Sequence, residues 1–236
     1  MAVVKYLYLI GISLLGSLLF VAPAFAANND NISNDTPTVV ATASTSKTME
    51  DNTTPGQRLL GLLLNLDNTQ ANFEQALLDF RGQVLDQSSG TLSLAKPSLR
   101  WQIDFPFAQV IVVADGWLQI YDPDLEQVIE KDMRGSDEAL PLKLLLDPTQ
   151  LLAGDYLISQ LAADGASQFL LQPTSNQSLF MSVRIAFAGQ QLSQLEITDH
   201  VGQRTVVTFS KVRGDQQIPA SAFELDLPES TDVVRG

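Results

Sequence analysis

Cysteine is absent from all 236 residues, and histidine occurs once. The first absence excludes a disulfide framework, a thiolate nucleophile and any Cys-ligated metal. The second leaves His200, in the turn Asp199-His200-Val201-Gly202, unable to build a His-rich metal site. Basic residues are scarce too: 14 against 27 acidic, a net charge of -13 that repels phosphate backbones over most of the surface and argues against nucleic acid as a partner. No G-x-S-x-G elbow, no G-x-x-x-x-G-K-[ST] phosphate loop and no H-E-x-x-H helix occurs. The acidic run Asp122-Pro123-Asp124-Leu125-Glu126 lacks the glycine of a calcium loop and reads as a plain turn. No catalytic residue, metal or cofactor is therefore expected.

What is present begins with an export signal. Lys5 precedes an apolar run from Tyr6 to Val21, and Ala24-Phe25-Ala26 supplies a small-residue cleavage site, so residues 1–26 are expected to be removed after Ala26 and the mature chain to lie outside the cytoplasm. The signal takes one Lys and no acid with it, leaving the mature chain one unit more negative. Residues 27–52 are rich in Asn, Thr and Ser and read as a disordered tether. Residues 53–236 then form one domain, a length that all-β proteins commonly fold as a unit.

Period-2 alternation dominates that domain. Leu92 and Leu94 alternate with Thr91 and Ser93, Trp101 and Ile103 with Gln102, and Met181, Val183, Ile185 and Phe187 with Ser182, Arg184 and Ala186. About eleven strand-like runs follow residue 71 at hairpin spacing, the last carrying Phe223, Leu225 and Leu227, and no stretch has the pattern of repeated βαβ crossovers. The pattern predicts a mainly β, curved antiparallel sheet or barrel. Val110 to Val113 breaks the alternation, so both faces of the sheet are covered there.

Two helical segments interrupt the strands. Thr54-Pro55 opens a helix running to about Asn65, with Leu59, Leu62, Leu63 and Leu66 on one stripe and Leu60 and Leu64 on another side. Residues 140–154 read as two short turns broken at Asp147-Pro148, carrying Leu144, Leu145 and Leu146. Either segment can be an ordinary core helix, or the two jointly a lid between the sheet and an apolar ligand. The wall of such a ligand cavity is assigned to Phe73, Leu92, Leu94, Trp101, Ile103, Val112, Leu118, Ile120, Met181, Val183, Ile185 and Phe187. A concave apolar surface without reactive groups, in an exported chain, suits a carrier: exposing an acyl chain of about sixteen carbons to water costs on the order of 10 kcal/mol.

The ordered set Phe73-Glu74-Gln75, Gly90 with Leu92 and Leu94, Lys96-Pro97, Arg100-Trp101, Asp115-Gly116, Tyr121-Asp122-Pro123 and Phe223-Glu224-Leu225 before Pro228 resembles the LolA family of periplasmic outer-membrane lipoprotein carriers, over residues 55 to 233. The resemblance implies a half-open antiparallel β-barrel closed by an α-helical lid. It further implies a monomer that takes acylated lipoproteins from an inner-membrane lipoprotein-releasing ABC transporter and delivers them to an outer-membrane lipoprotein acceptor. In the family an arginine before the proline of the second strand bonds lid carbonyls; here that position is Lys96, which keeps the charge but loses the planar fork, and lid contacts would fall on Leu63 and on Leu144 to Leu146. Leu99 stands where an aromatic is common. Two rival readings are an acceptor of the same fold, which carries a lipidated Cys that this chain lacks, and a hydrolase using a carboxylate pair such as Asp104 and Asp115.

Overall fold

The computed structural model describes residues 53–236 except 134–139, 162–165, 177, 215 and 236. The expected signal and tether, residues 1–52, lie outside the described residues. The first helix, α1 (Pro55–Leu64), starts as its sequence dictates. The Thr54 hydroxyl accepts from Gln57 N at 3.2 Å, the Gln57 side-chain oxygen accepts from Thr54 N at 2.9 Å, and Pro55 occupies the first turn, where its missing N–H costs nothing.

Twelve strands follow: β1 (Thr69–Leu78), β2 (Val84–Ala95), β3 (Ser98–Phe105), β4 (Gln109–Ala114), β5 (Trp117–Asp122), β6 (Gln127–Asp132), β7 (Tyr156–Leu161), β8 (Ala166–Pro173), β9 (Phe180–Ala188), β10 (Gln191–Asp199), β11 (Arg204–Arg213) and β12 (Asp232–Arg235). They form a single sheet in the order β12-β6-β5-β4-β3-β2-β1-β11-β10-β9-β8-β7, antiparallel throughout except for β12, which runs parallel to β6. The sheet is not closed, since β12 and β7 are its two edges. The expected mainly β class is found, with one strand more than the sequence suggested.

The chain builds this sheet as two meanders that meet at its centre. The first runs outward from β1 to β6, and the second starts at the far edge, β7, and works back to β11, which pairs with β1. Residues 133–155 must therefore travel from one side of the sheet to the other. They contain helix α2 (Leu140–Leu146) and a 3-10 turn (Pro148–Ala153), divided at Asp147-Pro148 as the sequence predicts. Both pack into the same apolar cluster as α1, on one face of the sheet.

The centre of that face is aromatic. Trp101 of β3 lies 4.3 Å from Phe73 of β1 and 6.0 Å, edge-on, from Phe209 of β11, measured between ring centroids. Between Phe73 and Ile103 the sheet is crossed by Gly90, at a register shift; a Cβ there would lie 1.8 Å from the Gln102 carbonyl oxygen, so only glycine fits. The opposite face is covered in its β3–β4 region by the C-terminal segment. Val112, Ile218 and Phe223 form a second buried cluster there, joined by Val110, Ala114 and Leu225. Two covered faces account for the unbroken aliphatic run of β4. Phe223, Leu225 and Leu227, expected to form a strand, instead follow from a 3-10 turn (Ala220–Phe223) into irregular chain, because Pro219 and Pro228 bracket the segment and deny it ladder donors.

Candidate functional site: the leucine contact between helices and sheet

Leu59 and Leu63 of α1 are fully buried, as are Leu144 and Leu145 of α2 to within a few per cent, and Leu66 and Leu151 join them. Leu62 and Leu146 are partly buried at the margin of the same cluster. Beneath them lie Phe73, Leu92, Leu94, Trp101, Ile103, Leu118, Ile120, Val183, Ile185 and Phe187, all buried in that cluster. The topology thus gathers most of the wall residues named from sequence on one face, and the leucines of both helical segments fill the space above it.

Two assigned wall residues are elsewhere. Val112 points to the opposite face, against Ile218 and Phe223, because alternation within β4 gives Ile111 and Val113 to the helix side. Met181 is half exposed: the register shifts between the Thr198–Ser182 and Asp199–Phe180 pairs, and that bulge turns Phe180 inward in its place. No pattern in the sequence marks such a slip.

Lys96, at the β2–β3 turn, reaches the end of α1. Its Nζ donates to the Leu63 carbonyl at 2.5 Å and to the Leu64 carbonyl at 3.3 Å, while its backbone N–H donates to Asp67 Oδ1 at 3.0 Å. The last carbonyls of a helix have no partner within it and carry the negative end of its dipole, so an ammonium there answers both needs. Burial lowers the Lys96 pKa below its usual value, against the opposing pull of the Asp67 carboxylate. Asp67 was not singled out from sequence; its signal is the Asp-Asn pair directly after the helix. Arg58 adds a second tie, donating from Nη1 to Gln160 Oε1 of β7 at 3.2 Å.

Other candidates separate. Asp104 stands at the end of β3 and Asp115 in the turn after β4, so the β3–β4 hairpin holds them roughly 20 Å apart, too far to share one bond-breaking event. His200 is exposed in its turn and donates from Nε2 to the Ser178 carbonyl at 2.7 Å. Among the described residues no group of three or more His, Cys, Asp or Glu is placed to hold a metal ion, and no helix is long and apolar enough to cross a membrane.

The open sheet and the two helical segments that share its apolar cluster define a mainly β protein with a leucine-covered sheet face. The family model described as outer membrane lipoprotein carrier protein LolA matches residues 65–226. An outer-membrane lipoprotein carrier protein of Chromohalobacter salexigens is 32% identical over 196 residues, covering 83% of this chain and 93% of that one. A protein of the same description from Pseudomonas fluorescens is 34% identical over 179 residues, 75% of this chain and 86% of its own. The crystal structure of an uncharacterized conserved protein from Thermus thermophilus has a similar fold, with a TM-score of 0.52 at 11% identity over 78% of this chain and all of that one. The chain belongs to the outer membrane lipoprotein carrier protein family, LolA.

Proposed function

We propose that this protein is a periplasmic carrier of acylated lipoproteins, and that the helix–sheet contact is the place where it hides their acyl chains. The observation that carries this reading is the composition of the contact: two helical segments present almost nothing but leucine to an aromatic and aliphatic sheet face. In this state the site is filled by the protein's own side chains, so cargo enters by displacing the helices. Full burial of Leu59, Leu63, Leu144 and Leu145 is worth about 6 to 12 kcal/mol together, as an upper bound. That is close to the roughly 10 kcal/mol at stake in burying one long acyl chain. Exchange of one apolar filling for the other is nearly balanced, and a carrier without fuel needs that balance to load and unload.

On this reading α1, α2 and the 3-10 turn are the lid over a half-open barrel. Lys96 is its latch, holding the Leu63 and Leu64 carbonyls until cargo competes. The relatives are described as outer-membrane lipoprotein carrier proteins, and the family resemblance extends the reading to an inner-membrane lipoprotein-releasing transporter as donor and an outer-membrane acceptor as recipient. No covalent step is required.

The experiment is competition. A fluorescent apolar probe bound by the mature protein is expected to be displaced by an acylated lipopeptide and not by its deacylated twin. Native mass spectrometry of protein taken from a periplasm is expected to find lipoprotein bound. Equal displacement by both peptides, or no probe binding at all, would end the carrier reading.

A further inference from the structure

Among the described residues five polar side chains are buried almost completely: Thr69, Ser88, Gln109, Asp199 and Thr205. A polar group in the interior needs a hydrogen-bond partner, because nothing else replaces the water it has given up. Four of the five leave no buried side-chain oxygen unpaired. Gln109, only 3% exposed, leaves its Oε1 without a partner. The other two unpaired buried atoms, Arg184 Nε and Thr231 Oγ1, belong to residues that are only partly buried.

Gln109 opens β4 directly opposite Ile103 of β3, and alternation puts it on the face of Ile111 and Val113, the face that lies under the helices. Its ladder partner Ile103 and its same-face neighbour Ile111 have no side-chain donor to offer. The unpaired amide oxygen is therefore set in the wall proposed to receive acyl chains, level with Ile103 and one step nearer the β3–β4 turn than the Trp101–Ile111 pair. A leucine or methionine there would continue the apolar wall and leave no acceptor unpaired. The amide thus weakens the closed protein, and a ligand that brings a donor removes the weakness.

We infer that Gln109 is a specificity-determining residue of this wall, its Oε1 accepting a hydrogen bond from the amide N–H that joins an acyl chain to a peptide. This role rests on the carrier reading and sharpens it to amide-linked cargo. An N-acylated peptide terminus carries a donor directly at the head of its hydrocarbon, whereas an acyl ester carries only acceptors. With that N–H at Gln109, the hydrocarbon lies over Ile111, Trp101 and Leu92 toward the Lys96 end of the sheet. The oxygen is already dry before cargo arrives, so the only water given up for the new bond is the ligand's. An analogue without the donor leaves the oxygen unpaired in the complex as well, which is the arrangement that discriminates best.

The test is titration of the mature chain with an N-palmitoyl peptide and with its ester twin, in which oxygen replaces the linking N–H. Wild type is expected to bind the amide form roughly tenfold tighter. Gln109→Leu is expected to hold the ester as wild type does and to bind the amide no better than the ester. It is also expected to unfold at no lower a denaturant concentration, since it removes an unpaired group. Circular dichroism checks folding, and Gln109→Met repeats the comparison should the leucine variant misfold. Equal binding of the two peptides by wild type, or a preference that survives both substitutions, overturns the proposal. So does a marked loss of stability in both variants, which would mean that the amide already has its partner within the protein. Failure of wild type to bind either peptide ends the carrier reading and this role with it, whereas binding without discrimination ends this role alone.

Discussion

The two faces of the sheet are both covered, but by different means. On one face α1, α2 and the 3-10 turn are held by interlocked leucines, by Lys96 at one helix end and by Arg58 at β7. On the other the C-terminal segment packs Ile218 and Phe223 against Val112 and is pinned in addition through backbone groups. Arg100 Nη1 donates to the Ala222 and Glu224 carbonyls at 3.4 and 3.2 Å, Asn68 Oδ1 accepts from Ile218 N at 3.3 Å, and the segment ends as β12 in the sheet itself. Side-chain packing is non-directional and can be remade on a new apolar partner, whereas ladder and carbonyl bonds cannot be traded for hydrocarbon. The first cover suits exchange and the second suits permanence.

The sharpest way to break this contrast is to fix the exchangeable cover. A Cβ at Gly56 would lie 3.4 Å from Ile158 Cδ1 of β7, and the chain has no cysteine of its own, so Gly56→Cys/Ile158→Cys is the pair with which to tether α1 to the sheet edge, its bridging checked by loss of free thiol. The oxidised protein is expected to lose acylated-peptide uptake almost entirely while melting no lower than wild type, and a reductant is expected to restore uptake. Uptake that survives verified crosslinking would show that α1 does not need to move. Next in size are matched truncations. Phe223→Ala is expected to cost about 3 to 5 kcal/mol in denaturant unfolding, with uptake per folded molecule unchanged. Leu63→Ala is expected to cost about 2 to 3 kcal/mol and to speed uptake, because the closed state it weakens is the one cargo must displace.

How much of this was legible beforehand differs between the faces. The helix-side residues announced themselves by alternation and by leucine-rich helical runs whose caps and proline break fall where Thr54, Pro55 and Pro148 put them. Val112 and Met181 went astray because face assignment counts residues, and one β-bulge or one doubly covered strand upsets the count. That the other face is covered was legible in the aliphatic run Val110 to Val113, but which segment covers it was not. Phe223, Leu225 and Leu227 alternate like a strand, and only long-range bonds from Arg100 and Asn68 make them a strap. Lys96 was placed by family resemblance, since a lysine before a proline carries no local mark of what it will reach.

A finer contrast comes from the carbonyl-binding cation on each face, Lys96 on one and Arg100 on the other. Lys96→Met is expected to cost about 1 kcal/mol and to raise amide exchange across residues 55–66, with faster uptake; Lys96→Arg is expected to hold exchange near wild type. Arg100→Gln is expected to raise exchange only in residues 219–225 and to leave uptake alone. Equal changes in uptake from the two losses would erase the distinction between the covers.

The smallest expected effect is in pH, and its sign follows from burial. Lys96 has a folded-state pKa below its ordinary 10.5, chiefly through desolvation, with Asp67 pulling the other way. Between the lowered value and 10.5 the unfolded chain therefore binds more protons at this site than the folded one, and stability rises with pH across that window. Above 10.5 the contribution is fully present, and it is lost as pH falls through the folded pKa. The difference in unfolding free energy between wild type and Lys96→Met isolates it, since the chain's other titrating groups are common to both. That difference is expected to grow in favour of wild type as pH climbs toward 10.5. A difference that shrinks instead would mean that the ammonium is stabilised where it sits, making the helix end a tighter anchor than an exchangeable cover can have.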